Sequence, residues 1–168
     1  MGTSHSLAAA RPIAMTSMTD FSELYRRHYD AVYRTALRIA GNAADAEDAL
    51  QTVFLRILNR QESAGSMPEA YFRRAAANAA LDLLRRRACR AETGLGDAAP
   101  RTEDRSLLKE QLRRAIARIP PDDAALFLLR HVEGLSNGEL ASLYGQQKNA
   151  IAVRLHRIRQ SLQKAMDR

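Results

Sequence analysis

Gly134-Leu135-Ser136-Asn137-Gly138-Glu139-Leu140-Ala141-Ser142-Leu143-Tyr144-Gly145, followed by Asn149-Ala150-Ile151-Ala152-Val153-Arg154-Leu155-His156-Arg157-Ile158-Arg159, is the stretch that decides the fold. Ser136 and Glu139 stand in the S-x-x-E order of a capping box, in which a hydroxyl and a carboxylate each satisfy a free backbone N–H at a helix start. Gly145 suits the tight turn between two helices, where a positive φ is often needed. Beyond it Ile151, Leu155, Ile158 and Leu162 recur at helical spacing and make one face apolar. The other face carries Arg154, His156, Arg157 and Arg159. A short helix with a buried stripe and a basic outer surface fits a DNA major groove, so the reading is a helix-turn-helix.

The rest of the chain is helical by the same criterion. Leu24, Tyr25, Tyr29, Val32, Tyr33, Ala36, Leu37 and Ala40 share one face of a first helix that ends at Gly41-Asn42. Ala46, Ala49, Leu50, Val53, Phe54, Ile57 and Leu58 define a second, with Asp45, Glu47 and Asp48 at the positive end of its dipole. Pro68 opens a third, which carries Tyr71, Phe72, Ala75, Ala76, Ala79, Ala80, Leu83 and Leu84 and ends in Arg85-Arg86-Arg87. Leu107, Leu108, Leu112, Ile116 and Ile119 mark a fourth, stopped by Pro120-Pro121. Asp122-Asp123 start a fifth, with Ala125, Leu128, Leu129 and Val132. No stretch alternates with period two, so no sheet is expected. The expected fold is all-α: two small helical domains on a flexible linker, the second containing the helix-turn-helix. The bounds are a disordered extension over 1–19, a first domain over 20–89, a linker over 90–104 and a second domain over 105–168.

Charge divides the chain in the same places. The 168 residues carry a net +7. Residues 19–60 are neutral, 71–90 hold six arginines against Asp82, and 111–168 hold ten basic groups against five acidic ones. Two separate basic segments point to two contact surfaces for a polyanion. Cys89 is the only cysteine, which excludes an internal disulfide and favours a reducing compartment, hence the cytoplasm. Arg87 and Arg90 flank it, but chance placement accounts for them far better than a redox role does. The first 18 residues hold no apolar run fit for a signal peptide or membrane span, and Met1, Met15 and Met18 are each candidate starts. The histidines have neither metal spacing nor a nucleophile partner, and no phosphate loop is present. No catalysis, cofactor or metal is expected. Asp45 and Asp48 lack further ligands, so the acidic second helix reads as a solvated start or a protein-docking face. Tyr71, Phe72 and Asn78 ahead of the arginine run suit an unpaired strand, whose bases stack and whose phosphates need neutralising.

In this order the segments resemble a bacterial alternative sigma factor of the extracytoplasmic-function group. Asp45-Ala46-Glu47-Asp48 through Gln51-Thr52-Val53-Phe54 is similar to the family's second conserved region. Tyr71-Phe72-Arg73-Arg74 through Asp82-Leu83-Leu84-Arg85-Arg86 is similar to its −10 segment. Leu128-Leu129-Arg130 through Ser136 resembles the start of its fourth region, and Arg154 to Arg159 its −35 reading helix. The Pro68-Glu69-Ala70-Tyr71-Phe72 stretch resembles the iron-uptake branch. The resemblance implies promoter-specific initiation with core RNA polymerase, its β and β′ subunits and promoter DNA as partners, and an anti-sigma factor as a further one, without membrane insertion. It implies that Asp45, Asp48, Gln51 and Phe54 meet the polymerase. Tyr71, Arg74, Asn78, Arg85 and Arg86 would meet the −10 element, aided by a base-capturing loop from Gln61 to Met67. Lys148, Asn149, Ala152, Val153, Arg154, His156 and Arg157 would meet the −35 duplex. Tyr71, Asn137, Gln147, Asn149, Ala152 and Val153 depart from common family choices, which leaves the −35 sequence open. Two other readings stand beside it: an operator-binding regulator that never enters the polymerase, and a helical adaptor for another protein.

Overall fold

The computed structural model describes residues 18–60, 67–93 and 104–166. The extension ahead of Met18, most of the base-capturing loop and the linker over 94–103 lie outside them. Seven helices follow one another: α1 (Met18–Ala40), α2 (Ala43–Arg60), α3 (Glu69–Glu92), α4 (Asp104–Arg118), α5 (Pro121–His131), α6 (Asn137–Tyr144) and α7 (Lys148–Met166). No strand occurs among the described residues.

Helices α1, α2 and α3 form a bundle, and α4 to α7 form the second group. Gly41, at φ +80°, makes the turn from α1 to α2. Asn42 then caps α2: its Oδ1 accepts the Asp45 N–H at 2.9 Å. The first core is built from Val32, Ala36, Ala46, Val53, Phe54, Phe72 and Ala76, all nearly fully buried. Alanines dominate the facing positions of α3, which lets the helix axes approach closely.

Sequence periodicity ended α3 at the arginine run, and the structure carries it on to Glu92. The physical reason is plain. Ala88, Cys89, Arg90 and Ala91 include no helix breaker, and the first glycine beyond them is Gly94. The expected linker therefore loses its first residues to the helix.

In the second group Pro121 occupies the first turn of α5, where its missing N–H costs nothing. The capping box forms as read: Ser136 Oγ accepts from the Glu139 N–H at 3.2 Å, and Glu139 Oε2 accepts from the Ser136 N–H at 2.7 Å. Gly145, at φ +61°, ends α6, and the Gln146 N–H reaches back to the Ala141 carbonyl at 2.9 Å. Leu140, Ile151, Leu155, Ile158 and Leu162 are buried, so α6 and α7 are locked through their apolar faces.

The two groups do not stand apart. Helix α3 packs on α1 and α2 and also on α5 and α4, with lesser contact to α6.

Candidate nucleic-acid interface

The outer face of α7 is open along its length. Lys148, Asn149, Ala150, Ala152, Val153, His156 and Arg157 are all exposed, while every fourth or third position between them is core. Val153 is 51% exposed although aliphatic. Gln160 bonds to the His156 ring at 3.1 Å and steadies it on this face. Arg154 belongs elsewhere. Its Nε donates to Asp123 Oδ1 at 2.6 Å, and its guanidinium lies 5.7 Å from the Tyr144 ring centroid. The arginine expected to read DNA thus ties α7 to the start of α5.

The −10 candidates divide into two groups. Tyr71, Arg74 and Asn78 fall on one face of α3 and line a cavity of about 320 Å³ with Val53, Arg56, Ile57, Met67 and Ala75. That volume lies at the lower end of ligand pockets, about 300–1,000 Å³. Its lining includes an aromatic residue, an amide and two arginines, residue types that stack and pair with a nucleobase. Arg85 lies well away from it. Its Nε and a terminal nitrogen donate to the carbonyls of Ala117 at 3.2 Å and Ile119 at 2.9 Å. It therefore satisfies the free acceptors at the end of α4, where the helix dipole also favours a cation. Arg86 is exposed.

The polymerase candidates divide too. Asp48 and Gln51 are exposed on α2, on the face that continues through Leu55 and Leu58. Phe54 points the other way: it is 3% exposed and packs on Tyr25 with ring centroids 4.6 Å apart. It is a core residue and has no surface to offer. Asp45 is buried as well, held by Asn42 Nδ2 at 3.0 Å and by Arg87 at 2.8 Å. The last arginine of the run thus fastens the C-terminal half of α3 to the start of α2.

Contacts with no sequence signature join the helical groups. Glu133 on the α5–α6 turn has a side chain only 3% exposed and is held by Arg38 of α1 at 3.3 Å and by Arg73 of α3 at 3.7 Å. Arg74 lies 4.0 Å over the Tyr144 ring, donates to the Leu143 carbonyl at 3.3 Å and pairs with Asp122 at 3.9 Å. Burial pushes the Tyr144 phenol above its usual pKa, with Arg74 opposing. With the Arg85 bonds above, these links close two of the −10 candidates, Arg74 and Arg85, against the second group.

Residues 24–89 match Sigma-70 region 2, and residues 109–162 match Sigma-70, region 4. The chain belongs to the sigma-70 family, in its extracytoplasmic-function group. It is 34% identical to the RNA polymerase sigma factor CarQ of Myxococcus xanthus, over 82% of this chain and 83% of that one. The RNA polymerase sigma-E factor of Streptomyces coelicolor is 30% identical, over 85% and 84%. The ECF RNA polymerase sigma factor SigE of Mycolicibacterium smegmatis is 34% identical over 87% of this chain, which spans 61% of that longer protein. The fold matches CnrH, solved with the cytosolic domain of CnrY, at a TM-score of 0.53 and 19% identity, covering 92% of each chain. It also matches the sigma factor RpoE of Bartonella quintana, solved with the anti-sigma factor NepR, at 0.51 and 21%, covering 89% of this chain and 98% of that one. The all-α, two-domain architecture of an alternative sigma factor is therefore the chain's own. Among the described residues, no helix is long and apolar enough to cross a membrane.

Proposed function

We propose that this sigma factor, acting without catalysis or cofactor in the cytoplasm, places core RNA polymerase on its promoters by a division of labour among named residues. The exposed strip of α2 from Asp48 and Gln51 to Leu55 and Leu58 docks on the β′ clamp. The cavity beside Tyr71, Arg74 and Asn78 takes an unstacked −10 base, offsetting a melting cost of a few kcal/mol. The outer face of α7 from Lys148 and Asn149 to His156 and Arg157 lies in the −35 major groove. Helices α1 to α3 and helices α4 to α7 act as two DNA-handling domains, with the stretch between α3 and α4 as their tether. Two modest contacts on one chain reinforce each other through effective concentration.

The observation that carries this reading is the α7 face: an exposed surface with Lys148, Asn149, His156 and Arg157 on it, covered by no other helix among the described residues and backed by a buried stripe. The packing of Arg74 and Arg85 against the second group adds a requirement. The helical groups must separate before those two arginines reach a −10 strand. An anti-sigma partner that holds the chain closed is part of the proposal, supported by the structural relative solved with the anti-sigma factor NepR.

The test is run-off transcription with sigma-free core polymerase and a promoter library. Specific transcripts that depend on this chain are expected. Their absence from correctly folded protein overturns the proposal, and duplex binding without transcripts returns the operator-binding reading.

A further inference from the structure

Val153 is the odd residue on the α7 face. An aliphatic side chain left 51% exposed is apolar surface in water, and no other helix covers it. It lines a shallow, open recess together with Gln146, Asn149, Ala150, Arg154 and Arg157. Asn149 stands one turn before it and Arg157 one turn after it, so the three point the same way. A valine in a helix is held almost entirely in one χ1 rotamer, so its two methyl groups form a rigid knob.

Base edges in the major groove offer donors, acceptors and a single apolar group, the C5-methyl of thymine. An apolar knob between an amide and a guanidinium therefore has one matching base feature. The flanking groups have theirs: a carboxamide pairs with adenine N6 and N7, and a guanidinium pairs with guanine or clamps phosphate. One helical turn rises 5.4 Å against about 3.4 Å per base pair, so the three side chains address neighbouring steps of one site.

We propose that Val153 is a specificity-determining residue of this sigma factor, and that it selects a thymine in the −35 element by packing on its C5-methyl. This rests on α7 reading the −35 duplex. The positively charged surroundings, with Lys148, Arg157 and Arg159 exposed nearby, favour DNA over an apolar protein groove as the occupant.

The experiment uses holoenzyme assembled from core polymerase and this chain. Duplexes are first selected from a library randomised across the −35 region. Each thymine of the selected site is then replaced by uracil, which removes only the methyl group. At one position the wild-type holoenzyme is expected to lose about fourfold in affinity, the value of one buried methyl-sized group. Val153→Ala is expected to lose a similar factor on the thymine duplex and to be indifferent to uracil at that position. Val153 is exposed, so the variant keeps its fold, and its unchanged thermal midpoint confirms that. Equal wild-type binding to every uracil duplex overturns the proposal while leaving −35 reading intact. An Ala variant that weakens yet keeps the uracil penalty also overturns it, because the valine then touches sugar or protein. Failure to select any −35 sequence counts instead against the underlying assignment of α7.

Discussion

Arg154 donates its Nε to Asp123 Oδ1 at 2.6 Å, and each side chain is only 28% exposed. This fixes α7 to α5 and keeps the guanidinium off the outer face of α7. Arg154→Ala and Asp123→Ala should therefore behave alike. Both are expected to lower stability, with a coupling of about 0.5–1 kcal/mol in a double-mutant cycle, the upper range for a partly exposed pair. Both should weaken −35 binding evenly without changing the preferred sequence. If Arg154→Ala alone shifts base preference, the arginine reads DNA after all.

Glu133 supplies the second prediction. Its carboxylate is almost fully enclosed, while Arg38 and Arg73 remain 54% and 32% exposed. Neutralising it leaves two arginines that water can solvate, so the damage should fall on domain packing rather than on either core. Glu133→Gln is expected to cost about 1 kcal/mol of packing, a roughly fivefold shift toward separated groups. Small-angle scattering should show a larger radius of gyration with unchanged helix content. A variant as compact as the parent would show that the apolar contacts of α3 with α5 hold the closed form alone.

Local features were legible in the sequence, and long-range polar contacts were not. The capping box, Gly145 and the α7 stripe could be read because each depends on neighbours within a turn or two. The fate of Arg74, Arg85 and Arg154 could not. Their partners Tyr144, Ile119 and Asp123 lie 70, 34 and 31 positions away, and nothing in an arginine's local context separates a structural cation from a DNA-binding one. Phe54 and Asp45 were misplaced for a related reason: the acidic start of α2 is amphipathic, and a motif match does not say which members face inward. The stretch from Pro68 to Phe72 has a structural account as well. Pro68 precedes the first turn of α3, and Phe72 is fully buried, stacked 3.7 Å from the His28 ring. Helix start and core packing explain it without an iron-uptake assignment.

His28 leads to a pH prediction. Its ring is buried against Phe72, and its Nδ1 has no hydrogen-bond partner. Burial, then the nearby Arg27, lowers its pKa below 6.5. His131 shifts the same way through burial, then Arg159 and Arg130. A lowered folded-state pKa means that the unfolded chain binds protons first as the pH drops. The stability is thus complete above about pH 6.5 and is lost on acidification through the interval below it. The thermal midpoint should fall between pH 7 and pH 5.5. His28→Leu, of similar size and non-titrating, should flatten part of that slope, with His131 supplying the remainder. An unchanged slope would place the pH sensitivity elsewhere.

The last prediction separates two glycines that both have positive φ. At Gly145 a Cβ would meet nothing within 4 Å, so the only penalty for a side chain is the left-handed backbone at φ +61°. Gly145→Ala should cost about 1–2 kcal/mol. Gly145→Asn should recover much of that, because asparagine tolerates this conformation. At Gly41, φ is +80° and a Cβ would also collide with the Arg113 guanidinium of α4. Asparagine should not rescue Gly41 unless Arg113 is shortened as well. Gly41→Asn with Arg113→Ala should therefore be more stable than Gly41→Asn alone, as measured by denaturant midpoint. No gain from the second substitution would show that the long arginine simply swings aside, leaving the backbone as the whole cost.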